Sequence, residues 1–479
     1  MSAEDKVVRG DDSDRLFLPV LVTAVFITVL TAMMVNVVLP AIRSDFGVSE
    51  AQVGWVVTAF MLVMAVGIPI YGRISDFFGL RRVFSLALLV FAAGSLICAL
   101  APNLPVLVFG RIVQAAGNAA IPSLATVAVA RTLPPGRRGG ALGLIASGIG
   151  VGTTVGPILG GAVGELAGWH ALFYASLILS LLVIPGSLHA LPDGDQGGER
   201  RFDLAGGVLL GLGAGLFLFG VTQGQAAGFA SLSSWGSFLG GMLALAGFVW
   251  RVVSVPHPFV PPALFGNRAY VAAVIVGCFS YLANISMFVF VPLLVVEVNR
   301  LSPAEAGLVL TPGALAFAVL SPLTGRLSDR VGVKPPILFG LTVMALSVLF
   351  VSTFGAGAAA LMVSLGMLGV GVGFALANPP TTNAVANALP QPEVGAGMGI
   401  FQGLFFLGGG AGPALVGAFL VARRGAEAEA LNPLYALGAA PFSDAFLAIA
   451  LAVVISLTAS FGLRGGAGES GESGERQIY

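Results

Sequence analysis

The sequence predicts an all-α polytopic membrane protein with fourteen transmembrane spans, arranged as two six-helix halves and an inserted helix pair. Composition, the distribution of basic side chains and an internal repeat predict this fold class. Of 479 residues, 57% are hydrophobic and 10% are charged, whereas roughly 25% of the residues in a soluble domain are charged. Composition therefore excludes a soluble enzyme, a nucleic-acid-binding protein, a secreted disulfide scaffold and a disordered chain.

Charged or Pro/Gly-rich breaks divide the chain into apolar segments, each close to the roughly 20 residues that a helix needs to cross a bilayer. The fourteen predicted spans are 17–39, 52–72, 83–101, 104–127, 140–163, 170–190, 204–223, 234–252, 270–295, 304–325, 336–354, 357–378, 395–421 and 442–462. An even number of spans places both termini on the same side of the membrane.

The distribution of Lys and Arg indicates which side that is. With the N-terminus inside, the predicted inner segments hold 18 of the 23 basic residues, the outer loops hold four, and Arg111 lies within a span. Cytoplasmic loops of membrane proteins are enriched in Lys and Arg. The asymmetry supports both the number of spans and the orientation, and it predicts a multi-pass protein of the cell (inner or plasma) membrane with cytoplasmic termini.

Two motifs occur twice at nearly the same offset. Gly72–Gly79 recurs as Gly325–Gly332, 253 positions later, and Gly152–Pro157 has an echo in Gly408–Pro413, 256 positions later. This indicates a duplicated six-helix unit, and in transporters with such parallel repeats the substrate site lies between the halves. The predicted organisation is a cytoplasmic tail (1–16), an N-terminal half (17–190), a cytoplasmic linker (191–203), an inserted helix pair (204–252), a C-terminal half (253–464) and a disordered cytoplasmic tail (465–479).

These motifs resemble those of the major facilitator superfamily, and the chain is most similar to its fourteen-helix drug:proton antiporter branch. Gly72–Arg82 is similar to the signature loop of the superfamily, and Gly152–Gly161 matches the antiporter motif of the fifth span. Arg111–Gly117 resembles the motif of the fourth span, although Ala115 stands where the family carries glycine. The resemblance implies a major facilitator fold and transport by alternating access, with protons as partners in exchange.

The repeated loop predicts a gating latch at the cytoplasmic ends of the second and tenth spans. A carboxylate there can cap a neighbouring helix N-terminus and pair with basic side chains, while glycines permit close helix approach. The alternative is that these are ordinary juxtamembrane charges that set the topology. The predicted latch residues are Gly72, Arg73, Asp76, Arg81 and Arg82 in the first copy, and Gly325, Arg326, Asp329 and Arg330 in the second.

Glycines at four-residue spacing in the fifth span predict a close helix contact, because that spacing aligns them on one helix face. Pro157 removes a backbone hydrogen bond and bends the helix. We interpret this face as a hinge, and static close packing is the alternative. The predicted hinge residues are Gly148, Gly152, Gly156, Pro157, Gly160, Gly412 and Pro413.

Arg111 is predicted to lie roughly two helical turns from the outer end of the fourth span. A charged side chain inside the membrane is costly and marks a functional position by default, although a snorkelling side chain is the alternative. Gln114 and Asn118 share its helix face, and Asn36 lies at a similar depth in the first span. These residues are candidates for transport or coupling.

The family resemblance implies an aspartate in the first span, but Thr31 occupies that position. Threonine cannot carry a proton as an exchangeable charge. We therefore expect Arg111 to bind amides (Asn36 or Gln114), water or an anionic substrate. If transport is coupled to protons, the carboxylates near the outer mouth, Glu165 and Glu297, are the candidate carriers.

The predicted substrate cavity contains amide and aromatic side chains, which suit a hydrophobic or amphipathic solute. The candidates are Asn284, Asn378, Gln402 and Phe401. The sequence has no Ser/His/Asp grouping, phosphate-binding loop or Cys/His cluster that would indicate an enzyme, a cofactor or a metal site.

The sequence thus predicts a monomeric secondary active exporter of lipophilic small molecules, of the multidrug or antibiotic efflux type, coupled to protons. Its predicted partners are a small lipophilic substrate, protons and the lipid bilayer, with no nucleic acid. An uncoupled facilitator, which the Thr31 departure favours, and an exporter of a lipid or a dedicated metabolite stay open. The latch and hinge motifs argue against a receptor without transport activity.

Overall fold

The computed structural model describes residues 3–192, 203–228, 231–256, 258–425 and 429–463, and these residues form helices and no strands. The helices are α1 (Ala3–Phe46), α2 (Glu50–Val53), α3 (Trp55–Phe78), α4 (Leu80–Ala99), α5 (Leu104–Thr132), α6 (Pro135–Ala167), α7 (Trp169–Ala190), α8 (Leu204–Ala227), α9 (Leu232–Ser254), α10 (Ala263–Gly266), α11 (Arg268–Glu297), α12 (Pro303–Val331), α13 (Lys334–Phe350), α14 (Ala360–Ala388), α15 (Val394–Gly425) and α16 (Ala440–Ser460). A π-helical turn, Val351–Gly355, extends α13.

Glycines and polar caps determine where several helices begin and end. Gly79 and Gly332 have φ values of 79° and 85°, which only glycine adopts without strain, and they separate α3 from α4 and α12 from α13. Ser302 and Glu305 form a capping box at the start of α12. Asn267 caps α11 by accepting hydrogen bonds from the backbone N–H groups of Ala269 and Tyr270, at 3.1 and 3.3 Å.

Among the described residues, thirteen helices are long and apolar enough to cross a membrane. They include α1 from Leu16, whose helix begins earlier, at Ala3. The predicted seventh span, 204–223, coincides with α8, whose described apolar stretch is Ala205–Gly220. The count of fourteen spans therefore stays a prediction, while a multi-pass helical membrane protein is established. Residues 193–202 of the predicted linker and the predicted tail 465–479 lie outside the described residues.

The chain forms two compact units. Unit one contains Met1–Thr132, Gly148–Pro262 and Pro390–Leu407; unit two contains Leu133–Ser147, Ala263–Leu389 and Gly408–Tyr479. The helices α6 and α15 therefore each contribute residues to both units. Fully buried aromatic side chains form part of the interior of each unit, for example Phe60, Phe91 and Phe173 in unit one and Phe446 in unit two.

Candidate functional site

The second copy of the repeated loop lies against the N-terminal part of α6. The two carboxylate oxygens of Asp329 accept hydrogen bonds from the backbone N–H groups of Gly139 and Gly140, both at 2.8 Å. A Cβ added to Gly325 would collide with the carbonyl oxygen of Gly139. We name this contact between α12 and α6 the second latch. Close approach of the two backbones requires the glycines, and the carboxylate satisfies the polar groups of α6.

Two asparagines of α14 complete the second latch. Asn383 donates to the Ser328 hydroxyl at 3.2 Å and to Asp329 at 3.4 Å. Asn387 donates to the side-chain oxygen of Asn383 at 3.3 Å and accepts from the guanidinium of Arg138 on α6 at 3.1 Å. Arg326 and Arg330 of the predicted latch are exposed and form no ion pair with the described residues.

The first copy of the loop lies against α15 within unit one. A Cβ on Gly72 would lie 2.5 Å from the carbonyl oxygen of Gly395 and 2.6 Å from Cα of Gly399. We name this contact the first latch. The Ser75 hydroxyl donates to the Gly72 carbonyl at 2.7 Å, and Arg131 of α5 donates to the Ser75 carbonyl at 3.4 Å.

The charged residues of the first loop differ in their surroundings. The Asp76 side chain lies outside the described residues, although its backbone belongs to α3. The Arg73 guanidinium lies 5.2 Å from the centre of the Phe77 ring. Arg81 is half-buried and interacts with other residues, and Arg82 is exposed.

The predicted hinge glycines of α6 face the backbone of α1. A Cβ on Gly152 would lie 3.2 Å from the carbonyl oxygen of Phe26, one on Gly156 would lie 2.6 Å from Cβ of Met33, and one on Gly160 would lie 2.7 Å from the carbonyl oxygen of Met34. A side chain at any of these positions would push α1 and α6 apart. Pro157 lies within α6, which stays one helix from Pro135 to Ala167.

The predicted hinge of the second repeat has a similar geometry. Gly412 of α15 faces α11, where a Cβ would lie 2.7 Å from the carbonyl oxygen of Leu282 and 2.7 Å from the Ser286 hydroxyl. Pro413 follows directly within the helix. The structure therefore places the predicted hinge glycines of both copies at close helix contacts, and their role as a hinge stays a prediction.

Arg111 lies in a fully formed polar network and is 1% exposed. Its guanidinium donates to the Gln114 side-chain oxygen at 2.6 Å and to the Val56 carbonyl at 3.2 Å, and it lies 4.0 Å from the centre of the Phe60 ring. Gln114 in turn donates to the Ser95 hydroxyl at 2.7 Å. Burial excludes the snorkelling alternative, because a snorkelling side chain ends at the interface.

The other polar residues near Arg111 do not join this network. Asn36 is exposed and forms no hydrogen bond with Arg111. Asn118 is 3% exposed, and its side-chain oxygen has no hydrogen-bond partner among the described residues. Thr31 is bound instead to α7, since its hydroxyl lies 2.8 Å from that of Ser176.

The two candidate proton carriers have different environments. Glu165 is exposed. Glu297, at the end of α11, forms an ion pair of 2.5 Å with Arg424 of α15, and the adjacent Arg423 forms one of 2.6 Å with the buried carboxylate of Asp444 on α16. Two ion pairs therefore hold the C-terminal part of α15 against α11 and α16.

The four predicted cavity residues lie in different units. Asn284 is buried and Asn378 is half-buried, both in unit two. Gln402 and Phe401 are buried in unit one, where Gln402 donates to the Thr126 hydroxyl at 3.4 Å and the Phe401 ring lies 5.9 Å from that of Phe405.

Comparison with known proteins identifies the family. The sequence profile of the Major Facilitator Superfamily matches residues 21–198 and 272–475. The chain belongs to the Major Facilitator Superfamily. Membership, which the motifs predicted, is confirmed, and the family is one of transporters.

Relatives and solved structures agree with this assignment. The chain is 31% identical over 406 residues to the multidrug resistance protein Stp of Mycobacterium tuberculosis, with 84% of this chain and 75% of that protein covered. It is 28% identical over 402 residues to the tetracenomycin C resistance and export protein of Streptomyces glaucescens, with 84% and 75% covered. The crystal structure of the human organic anion transporter MFSD10 shares the fold, with a TM-score of 0.68, 17% identity, and 93% and 99% of the two chains covered.

Three polar residues with several partners in the structure were not among the predicted site residues. Asn383 and Asn387 lie one helical turn apart at the end of α14, and that spacing in an apolar segment was the available signal. Asp203 lies before α8 and binds three groups: Gly206 N–H at 3.0 Å, the Arg251 guanidinium at 2.6 Å and Phe259 N–H at 3.2 Å. Asp203 therefore connects the inserted helices α8 and α9 to the segment that follows them, through these hydrogen bonds.

Proposed function

We propose that this protein is a secondary active exporter of lipophilic or amphipathic small molecules, which crosses the membrane fourteen times with both termini in the cytoplasm. Its relatives include a multidrug resistance protein and an antibiotic resistance and export protein. The halves defined by the internal repeat, 17–190 and 253–464, move as the two bodies of an alternating-access cycle.

The contacts of α6 and α15 carry this proposal. In unit two, the first part of α6 packs on α12 at Gly139; in unit one, its later part packs on α1 at Gly152. Likewise, α15 packs on α3 at Gly399 in unit one and on α11 at Gly412 in unit two. Each hinge helix therefore contacts the other half through its cytoplasmic end and its own half through the rest. Alternating access separates the first set of contacts and preserves the second.

The latches hold the cytoplasmic ends together in the outward-facing state. Asp329 accepts from the N–H groups of Gly139 and Gly140 in the second turn of α6, so its release separates α12 from α6 while both stay helices. The repeat makes Asp76 the counterpart of Asp329, and we propose the same gating role for it. Asp76→Asn and Gly156→Leu should each abolish transport while the protein still inserts in the membrane.

The substrate chemistry follows from side chains that combine apolar surface with few hydrogen-bond groups. In unit two, Asn284 and Asn378 supply amides; in unit one, Gln402 supplies an amide and Phe401 an aromatic face. Asn118 adds a buried oxygen that has no partner among the described residues. Such groups bind a lipophilic solute by contact area and fix its orientation with one or two hydrogen bonds.

Proton coupling, in this proposal, acts through Glu297. Protonation of Glu297 removes its charge and so releases Arg424, one of two arginines that anchor the C-terminal part of the hinge helix α15. Glu165, which is exposed, is the second candidate carrier. Thr31 is not a proton carrier in this proposal, because threonine cannot hold a proton as an exchangeable charge; its hydroxyl pairs with Ser176.

Transport in proteoliposomes with an imposed pH gradient tests the proposal. The compounds tested as substrates are cationic, neutral and anionic lipophilic molecules. We expect gradient-driven accumulation that is lost in Glu297→Gln, with Glu165→Gln as the matched carboxylate change. Accumulation that survives both changes together would exclude both carriers. Thr31→Asp should change the pH dependence of transport, since it places a titratable group beside Ser176.

The alternative is an uncoupled facilitator or an exporter of a lipid or dedicated metabolite. The neutral Thr31–Ser176 pair favours the first of these, because it leaves no carboxylate at that position of α1. Equilibration of a substrate without accumulation, insensitive to the pH gradient, would establish the uncoupled facilitator.

The proposed orientation is tested by labelling single cysteines after Cys98 and Cys278 have been replaced. A cysteine between 193 and 201 should react only with reagents that reach the cytoplasm. Labelling from the outside would refute the fourteen-span topology.

A further inference from the structure

The two latches occupy equivalent positions but contain different side chains. Gly117 of α5 faces the Ala87 carbonyl of α4 at 2.5 Å, and Gly373 of α14 faces the Gly340 carbonyl of α13 at 2.6 Å, both measured from an added Cβ. These glycines are 256 positions apart (373 − 117). The same offset makes Val127 the counterpart of Asn383 and Arg131 the counterpart of Asn387.

In the second latch the asparagines form one closed chain of hydrogen bonds through three helices. It runs from Arg138 on α6 to Asn387 and Asn383 on α14, then to Asp329 on α12, which binds the N–H groups of α6 again. Asn383 is 1% exposed. Asn387 is exposed, but the buried amide of Asn383 cannot rotate without losing its Ser328 and Asp329 partners.

Asn383 acts on both parts of the latch. One hydrogen bond fixes the Asp329 carboxylate, and the other fixes the Ser328 hydroxyl, which donates to the Gly325 carbonyl at 2.7 Å. Gly325 is the residue at which α12 meets Gly139 of α6. A single amide thus orients the carboxylate and the backbone at the helix crossing.

We infer that Asn383 and Asn387 are positioning residues that hold Asp329 on α6, so that two amides connect the Arg138 guanidinium to the carboxylate of the second latch. The inference rests on the proposed alternating-access function for its role in transport, but the latch contact itself is measurable without a substrate. The first latch, with Arg131 at the position of Asn387, lacks such an amide chain at these two positions.

A distance between α6 and α12 tests the inference. Spin labels at Arg137→Cys and Val331→Cys, both exposed positions in unit two, report the distance between α6 and α12 by pulsed electron paramagnetic resonance in nanodiscs. The labelled protein without a further substitution, called the parent, should show mostly short distances between the two labels. Asn383→Val, which inserts the first-latch residue, should shift the ratio of short to long distances roughly fivefold for each hydrogen bond lost.

The variant Asn383→Asp separates positioning from a general structural role. Its new carboxylate faces Asp329, so the two charges repel at neutral pH, while Arg138 is held by Asn387 and Arg326 and Arg330 are exposed. The site borders an open cavity of about 340 Å³, lined in part by Asn383, Asn387 and Asp329, through which protons reach it. The long distance should dominate at pH 8 and recede as the pH falls and one carboxyl group is protonated.

The control is Asn299→Val, the same substitution at an amide of unit two that donates to the Ala358 carbonyl at 2.7 Å, outside the latch. It should leave the distance distribution unchanged. Distributions of Asn383→Val and Asn387→Val that superimpose on the parent would overturn the inference, as would an Asn383→Asp distribution without pH dependence. Protein that shows the expected distances but transports nothing would refute the proposed function and leave this inference intact.

Discussion

At the first latch, Gly72 of α3 meets α15 at Gly395; at the second, Gly325 of α12 meets α6 at Gly139. The four positions obey the offsets of the repeat, since 325 − 72 is 253 and 395 − 139 is 256. Both crossings bring backbone against backbone. Where two helix backbones touch, geometry allows no residue other than glycine, and so the repeat keeps glycine in both copies.

The polar side chains around these crossings differ between the copies. Arg131 donates to a backbone carbonyl of the first latch, whereas Asn387, its counterpart, belongs to the amide chain of the second. Arg111 likewise has an apolar counterpart, Met367, at the same offset. The glycine scaffold can therefore be shared while each copy acquires its own polar interactions, and the two halves need not respond alike to charge, salt or protons.

The largest expected effect is loss of the shared scaffold. Gly325→Ala and Gly72→Ala each place a Cβ against a backbone carbonyl, so each should reduce transport to background. The measurement is substrate efflux from proteoliposomes. Gly136→Ala on α6, where an added Cβ meets nothing within 4 Å, is the control and should transport normally. Normal transport by Gly325→Ala would show that the second crossing is not required.

The next largest effect concerns the Arg111 network of the first half. Arg111→Met inserts the residue of the second half and leaves the Gln114 oxygen and the Val56 carbonyl without their donor. We expect a cost of about 1–3 kcal/mol in stability and the loss of transport. Thermal unfolding in detergent measures the loss of stability, and efflux from proteoliposomes measures the loss of transport. Ile112→Met, at an exposed neighbouring position, is the control. Full activity would mean that this half functions without its buried cation.

Much of the fold could be predicted from the sequence, because a membrane requires long apolar helices and places basic residues on one side. Thirteen of the predicted spans coincide with helices long and apolar enough to cross a membrane. The exact helix ends could not be predicted, since α6 begins at Pro135 and ends at Ala167, beyond the predicted 140–163. A helix continues past the apolar core wherever caps and neighbours satisfy its ends.

Less of the candidate site than of the fold could be predicted from the sequence. The glycine positions could be found, because spacing and repetition reveal a shared helix face. The partners of polar side chains could not, since Thr31 pairs with Ser176 and Asn383 with Asp329 only through the tertiary fold. For the same reason, the sequence suggested Asn36 as a partner of Arg111, which instead binds Gln114 and the Val56 carbonyl.

Salt should affect the two latches differently, and this effect should be smaller than those of the substitutions above. The first latch has the cationic Arg131 at the position where the second has the neutral Asn387, and ions screen a charge but not an amide. We expect the first latch, reported by spin labels at Phe78→Cys and Gln391→Cys, to open by up to about twofold between low and high salt. The second latch also contains charges, Asp329 and Arg138, but Arg138 is buried and is screened less, so this latch should respond less. Arg131→Asn should reduce the response of the first latch. Equal responses of both latches would contradict a difference based on charge.

The smallest expected effect lies in the inserted pair, which has no counterpart in either repeat. Burial raises the pKa of Asp203, but hydrogen bonds from the Arg251 guanidinium and from the backbone of Gly206 and Phe259 outweigh it, so the pKa is below its usual value. The carboxylate therefore stabilises the fold above its unfolded pKa of about 3.9, and this contribution is lost as the pH falls through the folded pKa.

Asp203→Asn keeps a helix cap but removes the charge that faces Arg251, so it should destabilise the protein by about 1 kcal/mol at pH 7. The difference in unfolding temperature from the parent should stay constant down to about pH 5 and shrink below pH 4. Ser231→Ala removes the cap of α9, which has no titratable group, and its effect should not vary with pH. Neither change should alter either latch distance, because α8 and α9 lie outside both latches. A latch that opened in Asp203→Asn would show that the inserted pair takes part in gating, and the comparison between the two repeats would then have to include it.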